Sequence, residues 1–221
     1  MRSSIKKIFW LYAIIFLLLI GYLLKLCLYD SHSFVANPSN PRLSQSYEGI
    51  KRGSIYDSNG DVIAEDVKQD DGTFKREYKN SKYYAHVVGY TVKGKAGVES
   101  KYNFRLETIN NEFLQRAANL FLGKDIEGNS LVLTIDNRLQ EIAGKQLGDQ
   151  KGAIVAMEPS TGKILAMVSN STFDSNTVAE NWEELNSDDE NSPLLNRATQ
   201  GLYPPGSTFK IVTAAAALNE D

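Results

Sequence analysis

Ser207 and Lys210 stand three residues apart in Tyr203-Pro204-Pro205-Gly206-Ser207-Thr208-Phe209-Lys210, just ahead of the helix-forming run Ile211 to Leu218. Two prolines and a glycine cannot sit inside a helix, so they mark its edge. Residues i and i+3 share a helix face, which lets Lys210 reach the Ser207 hydroxyl. A hydroxyl with its own proton acceptor is the minimum equipment for acyl transfer. Lys210, Ile211, Ala214 and Leu218 fall near one helical stripe, the face expected to pack inward. A lysine on that face is partly desolvated, which favours its neutral form and fits it to act as a general base. The helix N-terminus favours negative charge developing near Ser207. The alternative is a solvated serine and a lysine snorkelling off a core helix.

The string S-x-x-K recurs at Ser3/Lys6 and Ser4/Lys7, in a charged tail, and at Ser160/Lys163, in a Pro-Ser-Thr-Gly turn. Only Ser207/Lys210 has a helix start behind it. A histidine-based triad has little to work with, since His32 and His86 are the sole histidines. His32 follows an apolar span and His86 lies in a run, Tyr83 to Tyr90, that reads as a strand. The carboxylates of Glu180 to Glu190 read as a solvated loop over the site entrance, because no His, Cys or EF-hand spacing accompanies them. No metal or cofactor is expected.

The elements that must position the pair can be read along the chain. Ile8 to Leu24 carries no charge, is bordered by Trp10, Tyr12, Tyr22 and Tyr29, and is preceded by Arg2, Lys6 and Lys7. That is a single membrane anchor with the N-terminus in the cytoplasm and everything after it outside. The one cysteine, Cys27, excludes an internal disulfide, and Lys25-Leu26 before it does not suit a lipobox. Ser31 to Ser46 is a linker. Asp57-Ser58-Asn59-Gly60 between two apolar segments signals a hairpin. Asp66 to Lys82 reads as polar and exposed, Lys93 to Gly97 as a loop, and Glu99 to Leu122 as mostly helical. Leu131 to Ile135 is strand-like, and Asp136 or Asn137 can cap a helix whose Leu139, Ile142, Ala143 and Leu147 mark one face. Ala153 to Met157 and Ile164 to Val168 suit an antiparallel hairpin covered on both faces. The net charge of −3 forms no basic stripe, so nucleic-acid binding is not expected.

Asn196 to Lys210 closely resembles the active-site segment of penicillin-binding proteins, where S-x-x-K is the nucleophile motif. Four further blocks resemble the same family in its class B order. They are Arg52-Gly53-Ser54-Ile55-Tyr56-Asp57 running to Asn59-Gly60, Gly97-Val98-Glu99 running to Tyr102, Leu133-Thr134-Ile135-Asp136 running to Leu139-Gln140, and Gly152 to Ser169. The resemblance implies an α+β protein with a cytoplasmic tail and anchor at 1–30, a linker and short pedestal at 31–130, and the start of a serine β-lactamase-like transpeptidase domain at 131–221. It implies a D,D-transpeptidase of the bacterial plasma membrane. Ser207 would attack the D-Ala-D-Ala carbonyl of a peptidoglycan stem peptide or a β-lactam, Lys210 would take its proton, and the Ser207 amide would supply half of the oxyanion hole. Cell-wall assembly proteins are implied partners.

The family's S-x-N and K-[ST]-G strings do not occur in this chain. The expectation is therefore of a truncated chain, inactive by itself. Two other readings stay open. One is a non-catalytic membrane protein docking with cell-wall assembly partners; the other is a membrane-anchored β-lactam sensor or β-lactamase.

Overall fold

The structure, a computed structural model, describes residues 2–26, 51–107 and 127–219. Cys27, Tyr29, His32, the linker and residues 108–122 of the expected helix lie outside them. The chain groups into two compact units: 1–55, 64–77 and 98–131 form one, and 56–63, 78–97 and 132–221 the other.

The first unit opens with α1 (Arg2–Lys25). Its segment Lys6–Lys25 is long and apolar enough to cross a membrane. A four-stranded sheet runs in the order β3-β2-β1-β4, from β1 (Ile55–Tyr56), β2 (Val62–Lys68), β3 (Phe74–Tyr78) and β4 (Leu131–Val132). The stretch expected to be polar and exposed is thus largely a β-hairpin, turning at Gly72 with φ 84°. Its polar residues can be internal because they are paired: Arg76 lies 3.2 Å from Asp66, both side chains being less than a tenth exposed.

That pair joins a larger ionic cluster. Arg52 Nε donates to Glu99 Oε2 at 2.7 Å, and its two terminal nitrogens donate to Asn103 Oδ1 (2.8 Å), Glu107 Oε1 (2.7 Å) and the Glu99 carbonyl (3.0 Å). Arg76 Nε reaches the other Glu99 oxygen at 2.8 Å. Glu99 lies on α3 (Gly97–Lys101), Asn103 and Glu107 on α4 (Asn103–Glu107). A buried carboxylate needs such partners, since removing a charge from water costs several kcal/mol.

The second unit contains the Asp57 turn. The Asp57 carboxylate accepts from the amides of Asn59 and Asp61, each at 2.8 Å, and Gly60 closes the turn with φ 90°. Burial opposes the charge on Asp57, but those bonds and one from the Asn137 amide hold it below the usual carboxylate range.

Ser81–Val88 is helix α2, not the strand expected from Tyr83 to Tyr90. Its buried residues, Ser81, Tyr84, Ala85 and Val88, follow the helical spacing of three and four. Short apolar runs do not distinguish helix from strand, and here the period decided it.

In α5 (Asn137–Leu147), Asp136 is the cap, its Oδ1 accepting from the amides of Arg138 and Leu139. The expected face is rotated. Leu139 and Ile142 are exposed, whereas Gln140 and Ala143 are buried and Leu147 packs beside them. Gln140 can face inward because every polar atom of its amide is matched. Nε2 donates to the Tyr83 and Met167 carbonyls, and Oε1 accepts from the Met167 amide, all within 2.7–2.8 Å.

The expected hairpin is present as β5 (Gly152–Met157) and β6 (Ile164–Asn170), antiparallel, with Ile154 opposite Val168. Ala166 and Val168 pack with Ala143, Leu147, Ile154 and Ala156. Cover on both faces is not seen among the described residues: Val155 is 47% and Met157 55% exposed.

Candidate active site

The segment leading to Ser207 is fixed by polar contacts. Asn196 caps the short α7 (Arg197–Gln200), its Oδ1 accepting from the Ala198 amide at 3.1 Å. The Arg197 amide donates to the Ser169 hydroxyl of β6 at 3.0 Å, and that hydroxyl donates to the Leu195 carbonyl. The buried Arg197 guanidinium donates to the carbonyls of Asn191 and Ser192. Reading the sequence singled out neither Ser169 nor Arg197 for this role. The Asn before a helix start was the available signal.

Beyond Pro204-Pro205, Gly206–Phe209 forms a 3-10 turn that runs into α8 (Lys210–Asn219). Gly206 has φ 54°, a conformation that favours glycine. The Lys210 amide donates to the carbonyls of Ser207 and Thr208. Lys210 itself has φ −60° and ψ −27°, within the 3-10 range. With three residues per turn, side chains at i and i+3 eclipse, so Ser207 and Lys210 project along one line. The helix-start placement of the pair is therefore as expected. The companion expectation, an inward face carrying Lys210, is not met. No residue of α8 is buried, Ile211 and Leu218 are 75% and 80% exposed, and Ser207 and Lys210 are both exposed. Apart from Lys210, Thr213 and Asn219 the helix is apolar, and its side chains stand open among the described residues.

The competing features separate from this turn. Ser160 and Lys163 occupy the β5–β6 turn, where the Glu158 amide donates to the Lys163 carbonyl and Gly162 takes φ 75°. His86 lies in α2 with Nε2 2.8 Å from the Pro193 carbonyl and its ring edge-on to Phe173 at 5.2 Å. Burial drives its pKa down; the Pro193 bond opposes that, and the Arg197 charge adds to it. It is a neutral, packed side chain. The acidic stretch is not a plain loop: α6 (Trp182–Ser187) runs through it, and Trp182 and Leu185 pack on the cluster of Ala85, Tyr90, Phe173 and Val178. Glu183, Glu184, Asp189 and Glu190 remain exposed, so solvation is the right account of those charges.

Comparison with known proteins bears on both halves. Residues 152–221 match the family described as penicillin binding protein transpeptidase domain, and residues 52–131 the penicillin binding protein A dimerisation domain. The chain is 35% identical over 236 residues to the peptidoglycan D,D-transpeptidase PbpA of Mycolicibacterium smegmatis, covering 99% of this chain and 48% of the relative. It is 35% identical over 175 residues to MrdA of Acinetobacter baumannii, also named a peptidoglycan D,D-transpeptidase, covering 65% and 26%. The imipenem acyl-enzyme complex of penicillin-binding protein A from M. tuberculosis superposes with a TM-score of 0.70 at 38% identity, over 78% of this chain and 43% of that one. The chain spans about half the length of the curated relatives it matches.

Proposed function

Because this chain belongs to the penicillin-binding proteins, we propose that it contributes the nucleophile of a peptidoglycan D,D-transpeptidase. Ser207 Oγ attacks the D-Ala-D-Ala carbonyl of a stem peptide, Lys210 accepts the Ser207 proton, and terminal D-Ala leaves with a proton on its amine. The acyl-serine ester then passes to an amine of a neighbouring stem. β-Lactams acylate the same oxygen by opening their ring. The observation that carries this reading is the 3-10 turn at Gly206–Phe209, which aligns Ser207 with Lys210 inside the transpeptidase-matched segment. An acyl-enzyme complex of a relative with imipenem supports β-lactam capture.

In the same reading, residues 1–30 anchor the chain with its N-terminus in the cytoplasm, 31–130 are a pedestal and 131–221 begin the catalytic domain. Stem peptides, β-lactams and the membrane are its partners, together with cell-wall assembly proteins. The dimerisation-family match at 52–131 supports the pedestal assignment over a β-lactamase.

The test is to join this chain in frame to the carboxy-terminal half of the M. smegmatis relative and add fluorescent penicillin. Covalent label should appear, vanish in Ser207→Ala and persist in Ser160→Ala. Label surviving Ser207→Ala would move the nucleophile elsewhere. Protease added to intact protoplasts should digest residues 31–221, and protection of that region would reverse the orientation.

A further inference from the structure

In the second unit a cavity of about 320 Å³ opens between α2 and α7. Its apolar wall is Ala85, Tyr90, Ala96, Phe173 and Leu194, and its polar side is His86, Asn196, Thr199 and Gln200. Phe173 presents ring edges and faces to both His86 and Tyr90, at centroid distances of 5.2 and 5.8 Å with nearly perpendicular planes. Such a wall suits a flat aromatic guest, which gains from edge-to-face contact as well as from burial. An apolar cavity of about 150 Å³ holds one benzene ring. Roughly twice that volume suits two fused rings.

The polar side narrows the chemistry. Asn196 is already committed, capping α7 through Oδ1 and donating through Nδ2 to the His86 carbonyl at 3.1 Å. His86 is committed at one nitrogen: Nε2 faces the Pro193 carbonyl, an acceptor, so Nε2 carries the proton and Nδ1 is left as an acceptor. Burial keeps the ring neutral, so that acceptor persists near neutral pH. No charged side chain lines the cavity, which disfavours ionic guests.

We propose that this cavity is a binding site for an uncharged, fused-ring aromatic molecule bearing one N–H or O–H donor, the donor going to His86 and the rings against Tyr90 and Phe173. The site goes beyond the acyl-transfer reading. None of its lining residues belongs to the Ser207 turn, and it stands or falls without any catalytic measurement.

The two tryptophans make a direct experiment possible, because Trp182 packs against this cluster and Trp10 sits in the membrane helix. The whole chain, labelled with 5-fluorotryptophan and held in detergent micelles, is titrated with indole and, separately, with benzofuran, which keeps the shape and lacks the donor. The expected result is a saturable 19F shift of Trp182 with indole, at least tenfold weaker with benzofuran, while Trp10 shows only the linear drift of a probe partitioning into detergent. Ala96→Leu, which fills the cavity, should abolish the saturable shift and leave the Trp182 line sharp. His86→Phe keeps a ring and should remove the preference for indole. Equal affinity for the two probes, an unchanged shift in Ala96→Leu, or a Trp182 response that merely tracks Trp10 would each overturn the proposal.

Discussion

The Glu99 carboxylate is completely buried and held by two arginines at once, Arg52 at 2.7 Å on one oxygen and Arg76 at 2.8 Å on the other. Removing the acid leaves Arg52 with Glu107 and Arg76 with Asp66, but takes from each buried guanidinium its bond to Glu99. Breaking a buried pair in this way typically costs about 3–5 kcal/mol. Glu99→Ala should therefore raise amide hydrogen exchange at residues 51–56 and 97–107, while exchange in β5 and β6 changes little. Unchanged protection around Arg52 would show that the cluster is not what holds this unit.

Gly144 of α5 has the Tyr83 ring against it: an added Cβ would sit 2.3 Å from that ring. Helix propensity argues for alanine by about 0.8–1.0 kcal/mol. Overpacking argues against it by about 1–3 kcal/mol, since the Tyr83 ring would have to shift to admit the methyl group. Gly144→Ala should lower the thermal midpoint of the second unit. Gly144→Ala combined with Tyr83→Ala should recover part of the loss, and failure to recover would place the strain elsewhere.

The elements around these residues show what the sequence could and could not say. The Asp57–Gly60 turn, the Asp136 cap and the β5–β6 hairpin are local, set by turn chemistry and by side chains bonding their own backbone, and all three were legible. α2 was misread because Tyr83, Tyr84, Val87 and Val88 form a run as apolar as a strand, and only Ser81 as the first buried position reveals the period. Gln140 and the Arg52–Glu99–Arg76 cluster were invisible as interior residues. Their burial depends on partners 23 to 57 positions distant in the chain, which no local pattern encodes. At the site, the Pro-Pro-Gly edge located the turn that aligns Ser207 with Lys210. Ser169 and Arg197, which brace the approach to it, are joined across 28 positions and left no periodic trace.

His86 predicts an acid limb in stability. Its folded pKa lies below the ordinary 6.5, so the unfolded chain takes up the proton first. The unfolded state then binds more protons wherever pH lies below 6.5 and above the folded value, and stability rises with pH through that window. The contribution is complete above about pH 6.5 and is lost as pH falls. His86→Phe should flatten that limb below pH 6.5, measured by urea midpoints followed through Trp182. The carboxylates with lowered pKa, Asp57, Asp71, Asp136 and Asp188, act only at lower pH, near and below their ordinary 3.8. A limb that persists unchanged in His86→Phe would assign it to another group.

The exposure of Ser207 and Lys210 carries the last prediction. A serine hydroxyl is a weak nucleophile until a base removes its proton, and a lysine does so at neutral pH only when its neutral form is favoured by desolvation. Here both side chains are open to water and α8 lacks any buried residue. An oxyanion hole needs two donors, and losing one is typically worth about 2.7–4 kcal/mol of barrier, or 10²–10³ in rate. The Ser207 amide is one candidate donor. The 221-residue chain alone should therefore give no more fluorescent-penicillin label than its Ser207→Ala variant. The same chain joined to the carboxy-terminal half of a relative should gain label by at least about 10²-fold, the usual scale of a positioned base. A stoichiometric, Ser207-dependent band on the unjoined chain would mean that this turn already forms a working acylation site in water.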